Sequence, residues 1–265
     1  VRDALGYEKL EEIDKWILHR LGILSSKILK GYVDYEFHIV YYELQRFCIV
    51  DLSAIYLDIQ KDVLYTFPPN SEKRRSAQTA IHIILDYLTK LSAPVLSFTA
   101  DEVWQYIPGE KLESVHLTSF PKTEFINDEL EEKWTRLLLI RDEILKALER
   151  ARKDKFIGSS LEAGLKIYAE GEIKSFIEEE LELITALAIV SHIEVFGAAL
   201  FESQSADTNK EILIRRAIPG LNVDVLKASG EKCERCWTYR TSVGINPDYP
   251  TLCDRCIGHL RERKA

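Results

Sequence analysis

No methionine occurs anywhere in this chain, and it opens on Val1, so the expectation is a C-terminal piece of something longer. No apolar stretch approaches the roughly 18 uncharged residues that a membrane-spanning helix requires. The charged segment Val1–Leu10 offers no signal-peptide core, and a cytoplasmic location is expected. An excess of positive charge is lacking as well. The net charge of −8 speaks against a histone-like polyanion binder. Catalytic signatures are missing too: no G-x-S-x-G elbow, Walker loop, G-x-G-x-x-G or H-E-x-x-H occurs. The six histidines are scattered. Asp101 and Glu102 are adjacent carboxylates, but a helix-capping role accounts for them.

Apolar residues make up 46% of the chain, enough for packed domains. The expected fold is mainly α: a helical bundle, then a small α+β domain, then a C-terminal zinc ribbon or knuckle. The first helix carries Leu10, Ile13, Ile17, Leu21, Leu24 and Ile28 at three- and four-residue steps. A second follows Asp34, with Phe37, Tyr41, Leu44, Cys48, Leu52, Ile55 and Ile59 on one face. A third starts near Ser71 and is stopped or kinked at Pro94. The fourth is expected to begin at a capping box of Thr99 and Glu102, with Phe98 and Val103 as its hydrophobic staple. These define a bundle over residues 1–122.

Residues 123–226 form the second segment. A long helix is expected from about Asp128 to Arg152. Strand period then shows at Leu165, Ile167 and Ala169, at Ile193 and Val195, and at Ile212 and Ile214. One helix is expected between Ile173 and Ala188, with Glu178, Glu179 and Glu180 on a solvated face. Glu202–Lys210 is expected to be a surface loop.

The third segment, 227–265, carries the strongest signal. Cys233-Glu-Arg-Cys236 and Cys253-Asp-Arg-Cys256 are two Cys-x-x-Cys turns separated by sixteen residues. Each turn can aim two sulfurs at one ion, and four thiolates supply the soft, charged tetrahedron that zinc takes. A reducing compartment disfavours two disulfides. Four thiolates leave no open position, so one structural Zn2+ is expected. His259 could replace a ligand, but a place outside the site is the simpler reading. Cys48 lies between apolar neighbours and reads as a buried, unreactive thiol.

From Lys227 to Ala265 the chain has eight Lys/Arg against five Asp/Glu, a formal +3 on an otherwise acidic protein. Arg235, Trp237, Tyr239 and Arg240 interleave cations with rings, a pattern suited to phosphates and stacked bases. Trp237 could equally pack over the metal site, since so small a module needs a core. Lys73, Arg74 and Arg75 open a helix, where cations oppose the dipole. A polyanion partner would explain them, as would a solvated turn.

Two stretches, YEFHIVYYELQRFCIVDLSAIYL (35–57) and LSAPVLSFTADEVWQYIP (91–108), resemble the anticodon-binding bundle of class I aminoacyl-tRNA synthetases. IGSSLEAGLKIY (157–168) and the ending KCERCW…LCDRC resemble the corresponding parts of bacterial-type isoleucyl-tRNA synthetases. The resemblance covers nearly the whole chain. It implies a parent enzyme that joins isoleucine to tRNA(Ile), and a piece that grips the anticodon arm. ATP would then bind only in the parent's catalytic domain, whose HIGH- and KMSKS-type signatures are absent here, as is the editing domain. No activation, transfer or editing chemistry is expected of this piece. The expected state is a monomer with tRNA(Ile) as partner. Two rivals stay open: the C-terminal region of a zinc-finger DNA-repair glycosylase, and a non-enzymatic zinc adaptor that binds protein.

Overall fold

A computed structural model describes residues 3–200 and 218–262. The chain divides into two compact units, Val1–Glu132 and Lys133–Ala265.

The first unit is a helical bundle. Helix α1 (Glu12–Val33) packs on α2 (Phe37–Arg46) and on α4 (Glu72–Ser92), and α4 packs on α5 (Ser97–Tyr106). The expected α1 stripe is the buried one at Leu10, Ile17, Leu21, Leu24 and Ile28, with Trp16 and Leu18 beside it. Ser71 caps α4, accepting the Arg74 N–H.

Between α2 and α3 (Asp58–Thr66) the chain does not break but winds as a π-helix, Phe47–Leu57. That winding shifts the buried face. Val40, Phe47, Asp51, Ile55, Tyr56 and Gln60 are buried, whereas Phe37 and Tyr41, expected inside, are exposed. A strict 3.6-residue period fails here because i→i+5 bonding widens each turn. Cys48 is only half-buried, and burial still pushes its thiol upward.

The expected capping box on α5 is not formed. The helix starts at Ser97, Leu96 stands at the cap without a side-chain bond, and Phe98 is 93% exposed, so no staple closes. Asp101 instead accepts from Ser114 Oγ at 2.5 Å and from the Val115 N–H at 3.1 Å, tying the following loop back to the helix. Those bonds, led by Ser114, hold its carboxyl below the usual carboxylate range.

Two polar clusters, one buried and one partly buried, lock the bundle. Asp14 on α1 accepts from Tyr56 Oη at 2.6 Å, from Gln60 Nε2 at 2.8 Å and from Ser76 Oγ. Burial nonetheless outweighs these bonds and raises its carboxyl to about 6. On the next turn of α1, His19 accepts the Asn127 N–H at Nδ1, 2.9 Å, so its proton sits on Nε2 and faces Glu131 at 3.1 Å. Arg20 joins the same carboxylate at 3.0 Å and approaches Asp51 at 3.4 Å. The irregular segment before Asn127 can lie on α1 because Gly22 has no side chain. A Cβ there would stand 2.2 Å from the Glu124 carbonyl.

The second unit holds most of α6 (Asp128–Lys153), whose bounds match expectation. Its sheet has the order β2-β1-β3, with β1 (Ala163–Ala169) parallel to β2 (His192–Gly197) and antiparallel to β3 (Asn222–Lys227). Strand β1 is central and buried on both faces rather than alternating. A Cβ at Gly164 would stand 2.3 Å from the His192 ring, so a side chain there would displace that ring. The single helix expected over Ile173–Ala188 is two, α7 (Gly171–Glu179) and α8 (Leu181–Ala188), broken at Glu180. The acidic run is not wholly solvated: Lys133 holds Glu180 at 2.7 Å and Lys174 approaches Glu178 at 3.5 Å. The expected strand at Ile212 and Ile214 and the expected loop Glu202–Lys210 lie outside the described residues. Strand β3, from Asn-Val-Asp-Val-Leu-Lys, was not anticipated, although Val223 and Val225 carry its period.

A structural zinc centre and its aromatic rim

The C-terminal module is a turn, a two-stranded ribbon and a helix. Strands β4 (Glu231–Lys232) and β5 (Tyr239–Arg240) pair antiparallel around the first Cys-x-x-Cys. The Cys233 N–H donates to the Thr238 carbonyl at 2.9 Å, and the Trp237 N–H returns to the Cys233 carbonyl at 2.8 Å. Trp237 takes a left-handed backbone, φ 65°, to close this knuckle. The ribbon's approach needs Gly230, since a Cβ there would meet the Arg240 carbonyl carbon at 2.3 Å. The second pair sits at the start of α9 (Asp254–Glu262), with Cys253 just before the helix and Cys256 in its first turn. Ser242 and Asp254 bond reciprocally at that start, 2.8 Å from Oγ to Oδ1 and 3.3 Å from N–H to Oγ.

These two turns bring the four sulfurs together. All lie within 4.8 Å of one another, with Cys233, Cys253 and Cys256 buried and Cys236 half-buried. A tetrahedron with Zn–S bonds of about 2.3 Å has edges of about 3.8 Å. The Cys236–Cys253 sulfur separation is 3.8 Å. His259 is not part of the cluster. The hydrogen bond with Cys256 pulls the Cys236 thiol well down. The same bond pushes Cys256 up, and burial pushes Cys253 up. One thiolate forms readily, and further negative charge needs a cation beside it. A Zn2+ ion held by these four residues would supply that charge and would crosslink ribbon to helix. The donor set is closed, so the metal serves the fold rather than a reaction.

Around this centre the other candidate residues take separate roles. Val243 and Leu252 pack on the cysteine cluster, while Trp237 stays 60% exposed with Lys232 Nζ 5.6 Å from its ring centroid. Arg235 turns inward, its guanidinium donating to the Cys256 carbonyl at 3.1 Å. Tyr239 is half-buried and Arg240 exposed. Lys73, Arg74 and Arg75 belong to the other unit. Arg74 donates to the Phe67 carbonyl at 3.1 Å, and Arg75 to Asn70 Oδ1 at 3.1 Å. These contacts give a local reason for two cations at a helix start. Ser191 is buried and receives the Tyr239 N–H at 2.8 Å. No pattern in the sequence marks it.

A helical bundle running into a small α+β unit and a four-thiolate module defines a class, and residues 14–169 match the family described as the anticodon-binding domain of tRNA ligase. The chain belongs to that family. Residues 230–257, which contain all four cysteines, match the zinc finger found in FPG and IleRS. The chain is 42% identical to the isoleucine–tRNA ligase of Moorella thermoacetica, across 98% of its own length and 28% of that protein. The corresponding enzyme of Carboxydothermus hydrogenoformans is 44% identical, across 99% of this chain and 28% of that one. That of Caldicellulosiruptor saccharolyticus is 46% identical, across 96% and 26%. The chain thus spans little more than a quarter of the curated relatives it matches. Among the described residues, no helix is long and apolar enough to cross a membrane.

Proposed function

We propose that this chain is the anticodon-arm-binding region of an isoleucyl-tRNA synthetase, a cytoplasmic and monomeric enzyme that joins isoleucine to tRNA(Ile) using ATP. The observation that carries this reading is the joining of the bundle and the four-thiolate module in one chain. A match to the tRNA-ligase anticodon-binding family over residues 14–169 weighs against a glycosylase or an adaptor, either of which would use the zinc finger alone. In this reading residues 1–122 are the bundle, 123–226 the junction and 227–265 the zinc module.

The mechanism is geometric. Unpaired anticodon bases can be splayed and stacked on rings, and cations hold the neighbouring phosphates. Trp237 is exposed on the knuckle with Lys232 above it, and Arg240 is exposed on β5. These offer the stacking face and the charge, while Arg235 braces the turn against α9. Tyr239, Lys73, Arg74 and Arg75 are secondary candidates. Gripping one end of the tRNA orients its other end toward catalytic machinery elsewhere in the longer enzyme, which is a contribution of positioning. The test is binding of tRNA(Ile) and of duplex DNA by the purified chain at low and high salt. Preference for the tRNA supports the reading, and preference for DNA or for neither overturns it.

A further inference from the structure

The zinc knuckle is not the only place where a cation covers an exposed ring. After α6 ends, Lys155 takes a left-handed backbone, φ 56°, and turns the chain so that Phe156 emerges 41% exposed. Lys227, the last residue of β3, places Nζ 5.5 Å from the Phe156 ring centroid. The two residues are 71 positions apart, so the sheet, not local sequence, brings them together. Phe156 is thus part packed and part open, with an exposed cation beside its ring. The open part of the ring is free to take a partner.

The surroundings favour an anionic, planar partner. From Arg150 to Lys155 the chain has four cations, Arg150, Arg152, Lys153 and Lys155, against one acid, Asp154. Glu162, whose carboxylate feels the Lys227 charge, is already engaged by the Gly158 N–H at 2.9 Å and by Ser159. This site also adjoins the zinc module. Lys227 pairs with Ala163 in the sheet, the Ala163 carbonyl accepts the Ser191 N–H at 3.1 Å, and Ser191 Oγ accepts the Tyr239 N–H at 2.8 Å. The short turn Ala228–Gly230 then leads directly to Lys232, the cation over Trp237.

We propose that Phe156 with Lys227 is a second stacking site for an unpaired RNA nucleotide, beside the one expected at Trp237, with Lys153 and Lys155 holding the adjoining phosphates. It rests on the RNA-binding reading above and extends the footprint from the zinc knuckle onto the end of α6. A base can lie on the ring's open face, and Lys227 adds charge without blocking it.

The experiment measures affinity of the full chain for the tRNA(Ile) anticodon stem-loop and for a blunt RNA duplex of the same stem. Phe156→Leu keeps an apolar side chain and removes the ring. It should weaken stem-loop binding about tenfold or more and leave duplex binding unchanged. Phe156→Tyr should bind as the parent does. Lys153→Gln should flatten the salt dependence by about one unit of slope. Zinc content and helicity, measured on each variant, report whether it has folded. A folded Phe156→Leu that binds the stem-loop like the parent overturns this site alone. Failure of the parent chain to bind the stem-loop overturns both this site and the RNA-binding reading.

Discussion

The Tyr239 amide of the zinc ribbon donates to Ser191 Oγ at 2.8 Å, and the same hydroxyl donates to the Leu161 carbonyl ahead of β1. Ser191 is buried, and its own N–H is held by Ala163. One hydroxyl therefore joins the metal module to the sheet. Ser191→Ala removes the partner of the half-buried Tyr239 donor and of the Leu161 acceptor. We expect a loss of about 1–3 kcal/mol, with zinc still bound and faster amide exchange at Tyr239. Unchanged stability and exchange would show that the bond carries nothing.

The four cysteines should hold one zinc per chain. Cys253→Ser should release it and leave the tail unfolded, since zinc binding in such modules is worth about 10–16 kcal/mol. The bundle should keep its helicity, because its core lies among α1, α2, α4 and α5. Metal analysis with limited proteolysis checks this. Full zinc and a protease-resistant tail in the variant would count against the assignment.

Asp14 sets a pH dependence whose sign is opposite to that of an ion-paired carboxylate. Its carboxyl is raised to about 6 from 3.8, chiefly by burial. Between those values the folded chain holds a proton that the unfolded chain has lost. Its contribution is therefore full below about pH 4 and fades as pH rises through about 6, a change of about 3 kcal/mol. Asp14→Asn cannot titrate. The stability of the parent relative to this variant should rise as pH falls from 6.5 to 4 in urea titrations, on the order of that amount. A constant difference would mean that Asp14 is ionised in the fold.

Gly22 should tolerate no side chain. A methyl group would drive the Glu124 carbonyl off α1 and disturb the neighbouring Asn127–His19 bond, so Gly22→Ala should cost about 1–3 kcal/mol. Thermal unfolding of the purified variant gives the answer, and parental stability would show that the 118–127 segment yields freely.

What was legible in the sequence follows from how each feature is encoded. The cysteine pairs and the α1 stripe are local patterns that need no tertiary knowledge. The exposed faces of Phe37 and Tyr41 were misread because π-winding at Phe47–Leu57 resets the period. Thr99 and Glu102 have capping-box spacing, yet the helix begins at Ser97 and Asp101 finds Ser114 thirteen residues on. Asp14, Ser76 and Gln60 meet only after three helices pack, so no spacing announces them. The same holds for Phe156 and Lys227.

Trp237 divides the two roles given to the knuckle. Its exposure favours contact with a partner. Trp237→Ala should retain zinc and lose about 1–3 kcal/mol of RNA affinity, with Trp237→Phe losing less. Loss of affinity only in proportion to lost zinc would make the ring structural.

The most direct test of the account is a titration of the 265-residue chain with two hairpins cut from tRNA(Ile), the anticodon arm and the acceptor arm. Salt-sensitive binding to the anticodon arm and much weaker binding to the acceptor arm are expected. Equal affinity for both, or preference for the acceptor arm, would contradict it.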